Sequence, residues 1–200
     1  ATSQRNDEPK TTPSPFDTQR DGLVIGEGAG TLILEELEHA RARGATIYGE
    51  IVGFATNCDA AHITQPQRDT MQICMEQSLA MAGLSARDMG YISAHGTATD
   101  RGDIAESLAT AAIYGDSVPV SSLKSYFGHT LGATGALEAI ALIHSLNAGT
   151  IPPVYELKKP IDGLRFNLPA AQPQPLTGKT GLSMTIGFGG FNTCLIFTVM

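Results

Sequence analysis

Residues 91–106, YISAHGTATDRGDIAE, run a short apolar stretch into a histidine, two alternating threonines and then acids. His95 carries the side chain that titrates nearest neutral pH, and it stands at a strand's C-terminal end, where reactive groups are often held. Thr97 and Thr99 alternate, so on an extended stretch their hydroxyls face one side and offer regular partners to a polar, linear ligand. Ordinary β-propensity accounts for the same two residues without a ligand. Two further segments share this design of a strand end opening into small residues: SSLKSYFGHTLGATG (121–135) and TIGFGGFN (185–192). Small residues there let a substrate lie against the backbone and aim successive N–H groups at developing negative charge. His95 and His129 thereby form a candidate pair. Lys124 follows a strand in apolar surroundings and Glu106 lies one helical turn past Asp103, which suggests a buried ion pair between Lys124 and Glu106. A surface lysine is the competing reading.

These segments need a scaffold. The run GYISA reads as the strand delivering His95, followed by a helix from about Asp103 that buries Ile104, Leu108 and Ala111, and then by the strand VPVSS. A helix over about 135–147 closes at Gly149, and two strands, GLSMTIGF and TCLIFTV, flank the turn GFGGFN. Upstream, Pro9, Pro13 and Pro15 make residues 1–22 an irregular, mostly exposed segment. GLVIGEGAGTLILEE (22–36) is too apolar for an edge and predicts a central, buried strand. Because a strand rather than a helix follows GEGAG, a phosphate-binding loop is not expected there. EELEHARARGA predicts a helix ending at Gly44, with His39 solvated, and YGEIVGFAT a strand. Over 67–83, Met71, Cys74, Met75 and Leu79 recur at helical spacing and mark a core face. The alternation of strands and helices predicts an α/β layered domain whose sheet is covered on both faces.

Composition excludes several classes. With 200 residues, 42% apolar and 16% charged, the chain can bury one sizeable core, and 22 glycines argue against a helix-only fold. A net charge of −7 without a Lys/Arg cluster removes nucleic acid as a partner. Cys58, Cys74 and Cys194 show neither paired metal spacing nor an even disulfide set, so a reducing compartment and no metal are expected. No apolar stretch reaches spanning length and no signal-peptide pattern opens the chain, which predicts a cytoplasmic protein without membrane contact. The start at Ala1, without an initiator Met, suggests a piece of something longer.

HGTATDRGD with Glu106, LKSYFGHTLGATGALEA and GFGGFN, in that order and at comparable spacing, resemble the C-terminal half of the β-ketoacyl-acyl-carrier-protein synthases. FDTQRDGLVIGEGAGTLILEE and DAAHIT look like the same family, so the resemblance covers nearly the whole chain. It implies a thiolase-like α/β fold in which two related halves stack five alternating helix and sheet layers, and a cysteine of the first half meets two histidines of the second. Residues 1–45 then form the end of the N-terminal half, with an irregular segment, a buried strand and a connecting helix. Residues 46–200 form the C-terminal half, and the nucleophilic cysteine lies upstream of Ala1. Neither Cys58, Cys74 nor Cys194 stands in the small-residue strand-to-helix context of an activated thiol.

The resemblance also implies a reaction: decarboxylative Claisen condensation of a malonyl-carrier with an acyl thioester, in fatty-acid or in polyene or polyketide synthesis. His95 and His129 would polarise the malonyl thioester and stabilise its enolate, while Lys124 and Glu106 orient the histidines and ordered water. The N–H of Phe188 would contribute to an oxyanion hole and its ring would gate the acyl pocket. Thr97 and Thr99 would bind the phosphopantetheine arm. His62 and Thr64 in DAAHIT, and Gly189 and Gly190 in GFGGFN, would belong to two loops that open together. The implied partners are an acyl carrier protein and a second synthase subunit, as a homodimer or a ketosynthase heterodimer, with no cofactor beyond the carrier's arm.

The chain departs from the family at Met184, Thr185 and Ile186, at Phe191, and at Tyr126 and Phe127, bulky groups that bear on acyl length and type. A noncatalytic, chain-length-setting partner subunit is the alternative of another class, though such a subunit has no chemical need for His95, His129 and Lys124 together. A degradative thiolase normally presents a cysteine before the last Gly-rich turn, where Ile186 stands, and an initiating synthase pairs its histidine with Asn, where His129 stands.

Overall fold

The computed structural model describes residues 1–62, 64–169 and 172–200. Its spine is the hairpin of β6 (Thr180–Gly187) and β7 (Phe191–Thr198), whose register sets Met184 opposite Cys194 and Gly187 opposite Phe191. β1 (Glu50–Cys58) pairs antiparallel with β7 on one side. On the other side β2 (Tyr91–Ser93) runs parallel to β6, and β3 (Val120–Ser121) parallel to β2, giving the sheet order β1-β7-β6-β2-β3. Because β3, β2 and β6 are parallel neighbours, their C-terminal ends reach the same edge of the sheet. The three small-residue segments that follow them are therefore brought together, as at the ligand edge of open α/β sheets.

Both faces of the sheet carry helices. α2 (Arg68–Ala82) and α3 (Asp100–Tyr114) cover one face around Met71, Met75, Ile92, Leu182 and Ile196. α5 (Thr134–Ala148) covers the other with Leu142 and Leu146 against Tyr91 and Phe197, and it closes at Gly149 as expected. Met71, Cys74, Met75 and Leu79 are all buried; each large apolar chain so placed contributes roughly 1.5–3 kcal/mol. Short elements complete the described chain: α1 (Leu37–Ala42), α4 (Lys124–Phe127), single 3-10 turns at Pro9–Thr11, Ala86–Asp88 and Leu131–Ala133, and the two-residue strands β4 (Thr150–Ile151) and β5 (Gln174–Pro175), which pair with each other.

Three expectations about the elements are corrected. Residues 22–36 form no buried strand: Leu23 and Ile25 make only isolated bridges, to Thr2 and His129, while Ile33 and Leu34 are 79% and 71% exposed. A strand is made by its partner, and no described strand lies beside residues 31–34. The first segment is not mostly exposed throughout, since residues 13–17 are buried and Phe16 stacks edge-on to Phe166 with ring centroids 5.4 Å apart. In α3, which starts at Asp100, Ile104 and Leu108 are 41% and 49% exposed, whereas Asp103, Glu106, Thr110 and Tyr114 form the buried face. Spacings of three and four put those residues on one stripe. That stripe turns inward because its two carboxylates accept backbone N–H groups that would otherwise be orphaned.

Candidate active site

His95 leaves the end of β2 and turns at once. Gly96 has φ +37°, and a Cβ there would lie 2.6 Å from that of Ser122. Only glycine lets the loop press against the β3 end, where the Ser122 hydroxyl donates to the Gly96 carbonyl at 2.8 Å. Glu106 reaches up from α3, and its two oxygens accept the N–H groups of His95 and Gly96 at 2.7 and 2.8 Å. Burial pushes this carboxyl up to about 7, against the lowering effect of the two N–H groups and of the Lys124 charge. Asp103 repeats the arrangement one turn earlier, accepting from Phe16 and Thr97 at 2.7 and 3.1 Å, with burial raising its carboxyl to about 7.

Lys124 opens α4 with 1% of its surface exposed, so it is no surface lysine. Its ammonium has three N–H donors and three acceptors in place: the His95 carbonyl, the Glu138 carboxylate and, at 3.2 Å, His95 Nδ1. The ion pair expected with Glu106 is instead made with Glu138 of α5. Glu106 spends both oxygens on backbone N–H groups, leaving the ammonium to the carboxylate that faces it from the other layer. Burial raises the Glu138 carboxyl to about 7 while Lys124 draws it down. An ammonium donating to Nδ1 leaves the His95 proton on Nε2. Burial, then the Lys124 charge and the His129 ring, hold His95 well below its ordinary pKa, so it is neutral near pH 7.

His129 reaches the same state by other means. The backbone N–H of Leu131, a residue at φ +51°, donates to His129 Nδ1 at 3.2 Å, with the Thr134 hydroxyl 3.1 Å away. The proton therefore sits on Nε2 again. Burial and the Lys124 charge lower its pKa to about 4. The two rings stand edge to face, centroids 5.2 Å apart and planes at 87°. Two neutral imidazoles, each with Nδ1 engaged by the protein, present two Nε2–H donors in one place. Such a pair suits an oxygen on which negative charge develops.

Both rings open on a cleft of about 1150 Å³ that also touches Thr97, Thr99, His62, Thr64 and Phe188. The Thr97 and Thr99 hydroxyls lie 2.9 Å apart, although the stretch is not extended as expected: Ala98 has φ +62°, and the left-handed residue between them turns both onto the cleft. Phe188 is 61% exposed in the turn between β6 and β7. Gly190 faces the cleft, and its carbonyl accepts the Asp59 N–H at 2.8 Å; Gly189 points elsewhere and accepts the Cys58 thiol. Asp59 further accepts from Gln67 N–H at 3.0 Å and Asn192 Nδ2 at 2.7 Å, tying the segment after β1 to the Gly-rich turn. Of DAAHIT, Ile63 lies outside the described residues. Among the departures from the family, Thr185 and Ile186 face the cleft; Met184 is buried against Cys194, and Tyr126 and Phe127 line a separate cavity of about 320 Å³.

The structure thus brings together His95, His129, Lys124 and Glu106 as a buried cluster, with Thr97, Thr99, His62, Thr64, Phe188 and Gly190 around its opening. Sequence reasoning missed Glu138, Asp59 and Asn192. A signal existed for Glu138, the one acidic side chain within the apolar helix TGALEAIALIHSLNA, since a buried helix keeps a lone charge when it has a partner. None of the three cysteines lines the cleft: Cys74 and Cys194 are buried in the core, and Cys58 is exposed beside Gly189.

Comparison with known proteins identifies the family and the fold. The sequence matches the family model described as Beta-ketoacyl synthase, C-terminal domain, over residues 48–158. It is 46% identical to 3-oxoacyl-[acyl-carrier-protein] synthase II, chloroplastic, of Arabidopsis thaliana over 98% of this chain and 37% of that protein. A beta-ketoacyl synthase from Burkholderia phymatum STM815 superposes with a TM-score of 0.97 at 51% identity, covering 100% of this chain and 49% of the other. A ketosynthase solved with a type II PKS acyl-carrier protein and bound to the hexaketide superposes with a TM-score of 0.92 at 34% identity, covering 99% and 49%. The chain spans about half the length of the curated relatives it matches. The fold is the thiolase-like ketosynthase fold, and the chain belongs to the beta-ketoacyl synthase family.

Proposed function

We propose that this chain is the histidine-bearing half of a β-ketoacyl-acyl-carrier-protein synthase and that its cleft receives a malonyl thioester. The observation that carries the reading is the pair of neutral imidazoles whose Nδ1 atoms are held by Lys124 and Leu131 N–H, leaving two Nε2–H donors over the cleft. The malonyl thioester oxygen accepts both. The bond to the carboxylate breaks, carbon dioxide leaves, and the electron pair forms an enolate whose oxygen charge the two donors stabilise. The enolate carbon then attacks an acyl thioester and expels the thiolate that carried the acyl group. Since no cysteine of this chain faces the cleft, the acylated cysteine is assigned to a segment outside these 200 residues.

Within this reading Lys124, Glu106 and Glu138 are positioning residues, the Phe188 N–H helps to hold the oxyanion of the acyl transfer, and its ring covers the acyl route. Thr97 and Thr99 pair with the amides of the carrier's arm. The loops around Asp59 and Gly190 move together because their hydrogen bonds must break together. An acyl carrier protein and a second synthase subunit are the partners, and the cytoplasm or a plastid is the setting; no helix of the described residues is long and apolar enough to cross a membrane.

The test follows acyl transfer and malonyl-carrier decarboxylation separately in the full-length polypeptide. His95→Ala and His129→Ala should each slow decarboxylation by roughly 100- to 1,000-fold, the scale of one lost oxyanion donor, and leave acyl transfer to the cysteine in place. Decarboxylation at the parent rate in both variants would sink the reading. A full-length polypeptide that accepts no acyl group and needs a separate active subunit would instead make it the chain-length-setting partner.

A further inference from the structure

Resting on that reading, we propose that Arg101 binds the phosphate at the head of the pantetheine arm in the cleft. From the end of β2 into the first turn of α3, the residues that line the cleft go from buried to exposed: His95 is buried, Thr97 and Thr99 are half-buried, and Asp100 and Arg101 are exposed. A linear ligand with its reacting end at the histidines and its amides at the threonines therefore passes Arg101 as it leaves.

The charges around that position are already committed, with one exception. Asp100 pairs with Arg20 at 2.8 Å, and Asp103 is taken by the N–H groups of Phe16 and Thr97, with Arg20 3.8 Å away. The side chain of Arg101, between the two acids in sequence, makes no hydrogen bond or ion pair among the described residues. Its guanidinium is left with its charge and its planar fork of N–H donors free, on a chain whose net charge is −7. A phosphate accepts that fork bidentately, which a neutral amide or hydroxyl cannot do. The ligand chemistry is a phosphate ester of pantetheine, offered both by a carrier-borne arm and by coenzyme A thioesters.

Calorimetric titration of the full-length polypeptide with 4′-phosphopantetheine and with pantetheine tests this. The phosphorylated ligand should bind about tenfold more tightly, the scale of one charge-assisted hydrogen bond. Arg101→Ala should erase the difference, Arg101→Lys keep part of it, and Arg101→Glu reverse it. A tenfold preference that survives Arg101→Ala, or no preference in the parent, overturns the proposal. Donor kinetics separate the two sources: a KM rise in Arg101→Ala confined to carrier-borne thioesters assigns the carrier's phosphodiester, and a rise with coenzyme A thioesters as well assigns the phosphate of either donor. If the preference depends on Arg101 but the polypeptide releases no carbon dioxide from malonyl-carrier, the phosphate site stands and the condensation reading falls. The converse result separates them the other way.

Discussion

His95 and Phe188 border one cleft but are held in opposite ways. His95 is fastened at its N–H by Glu106, and at its carbonyl and Nδ1 by Lys124, which is itself anchored by Glu138 from the opposite layer. Phe188 lies 61% exposed in a turn whose next two residues, Gly189 and Gly190, have φ of +94° and +85°. The N–H, carbonyl and Nδ1 of His95 each have a partner, so its orientation is set in the fold; around Phe188 two glycines at positive φ leave the backbone free to change. The contrast separates parts that must keep donors in place from a part that must let acyl chains by.

The largest effect should come from breaking the anchor. Glu138→Ala leaves the Lys124 ammonium buried without its carboxylate, at a cost of about 3–5 kcal/mol in denaturant unfolding of the full-length polypeptide. Joining Lys124→Met to Glu138→Leu should recover much of that stability without recovering decarboxylation. Recovery of both would show that the pair only holds the layers together.

His129 offers a smaller, pH-dependent break. Its folded pKa of about 4 lies below the ordinary 6.5, so the unfolded chain takes the proton first as pH falls. The stability tied to the neutral ring is present above pH 6.5 and is lost progressively down to about 4. From pH 7 to pH 5 the parent should therefore lose about 2 kcal/mol relative to His129→Asn. Parallel stability curves for the two proteins would contradict the buried neutral imidazole.

At the turn, the effects separate stability from turnover. Gly190→Ala puts a Cβ at φ +85° and 2.8 Å from the Asp59 side chain, costing at least about 1 kcal/mol; it should also loosen the link to the segment after β1, seen as faster amide exchange at Asp59. Phe188→Ala should change stability by less than about 0.5 kcal/mol, as exposed substitutions do, yet slow acylation across donor lengths. Unchanged acylation with every donor would remove the ring from the gate.

Much of this was legible from residues. The strands GLSMTIGF and TCLIFTV, the apolar face of α2 and the close of α5 at Gly149 follow from periodicity and turn chemistry, which are local properties. The inward face of α3 was misread because the large apolar residues Ile104 and Leu108 point outward while Asp103 and Glu106 point in. Its orientation is decided by which backbone N–H groups need a carboxylate, and those belong to residues 16 and 95–97. Residues 22–36 were misread for a related cause: an apolar run proposes a strand, but a neighbour makes one.

The sequence by itself determined the types of the reacting groups, their order along the chain, and that each follows a strand end rich in small residues. Tertiary structure decided that those ends share one sheet edge, that Lys124 answers Glu138 instead of Glu106, and that both imidazoles carry their proton on Nε2. These are matters of which acceptor lies within about 3 Å of which donor. Partners such as Lys124 and Glu138, or His95 and Glu106, sit on different elements, and only the packing of those elements sets the distance between them.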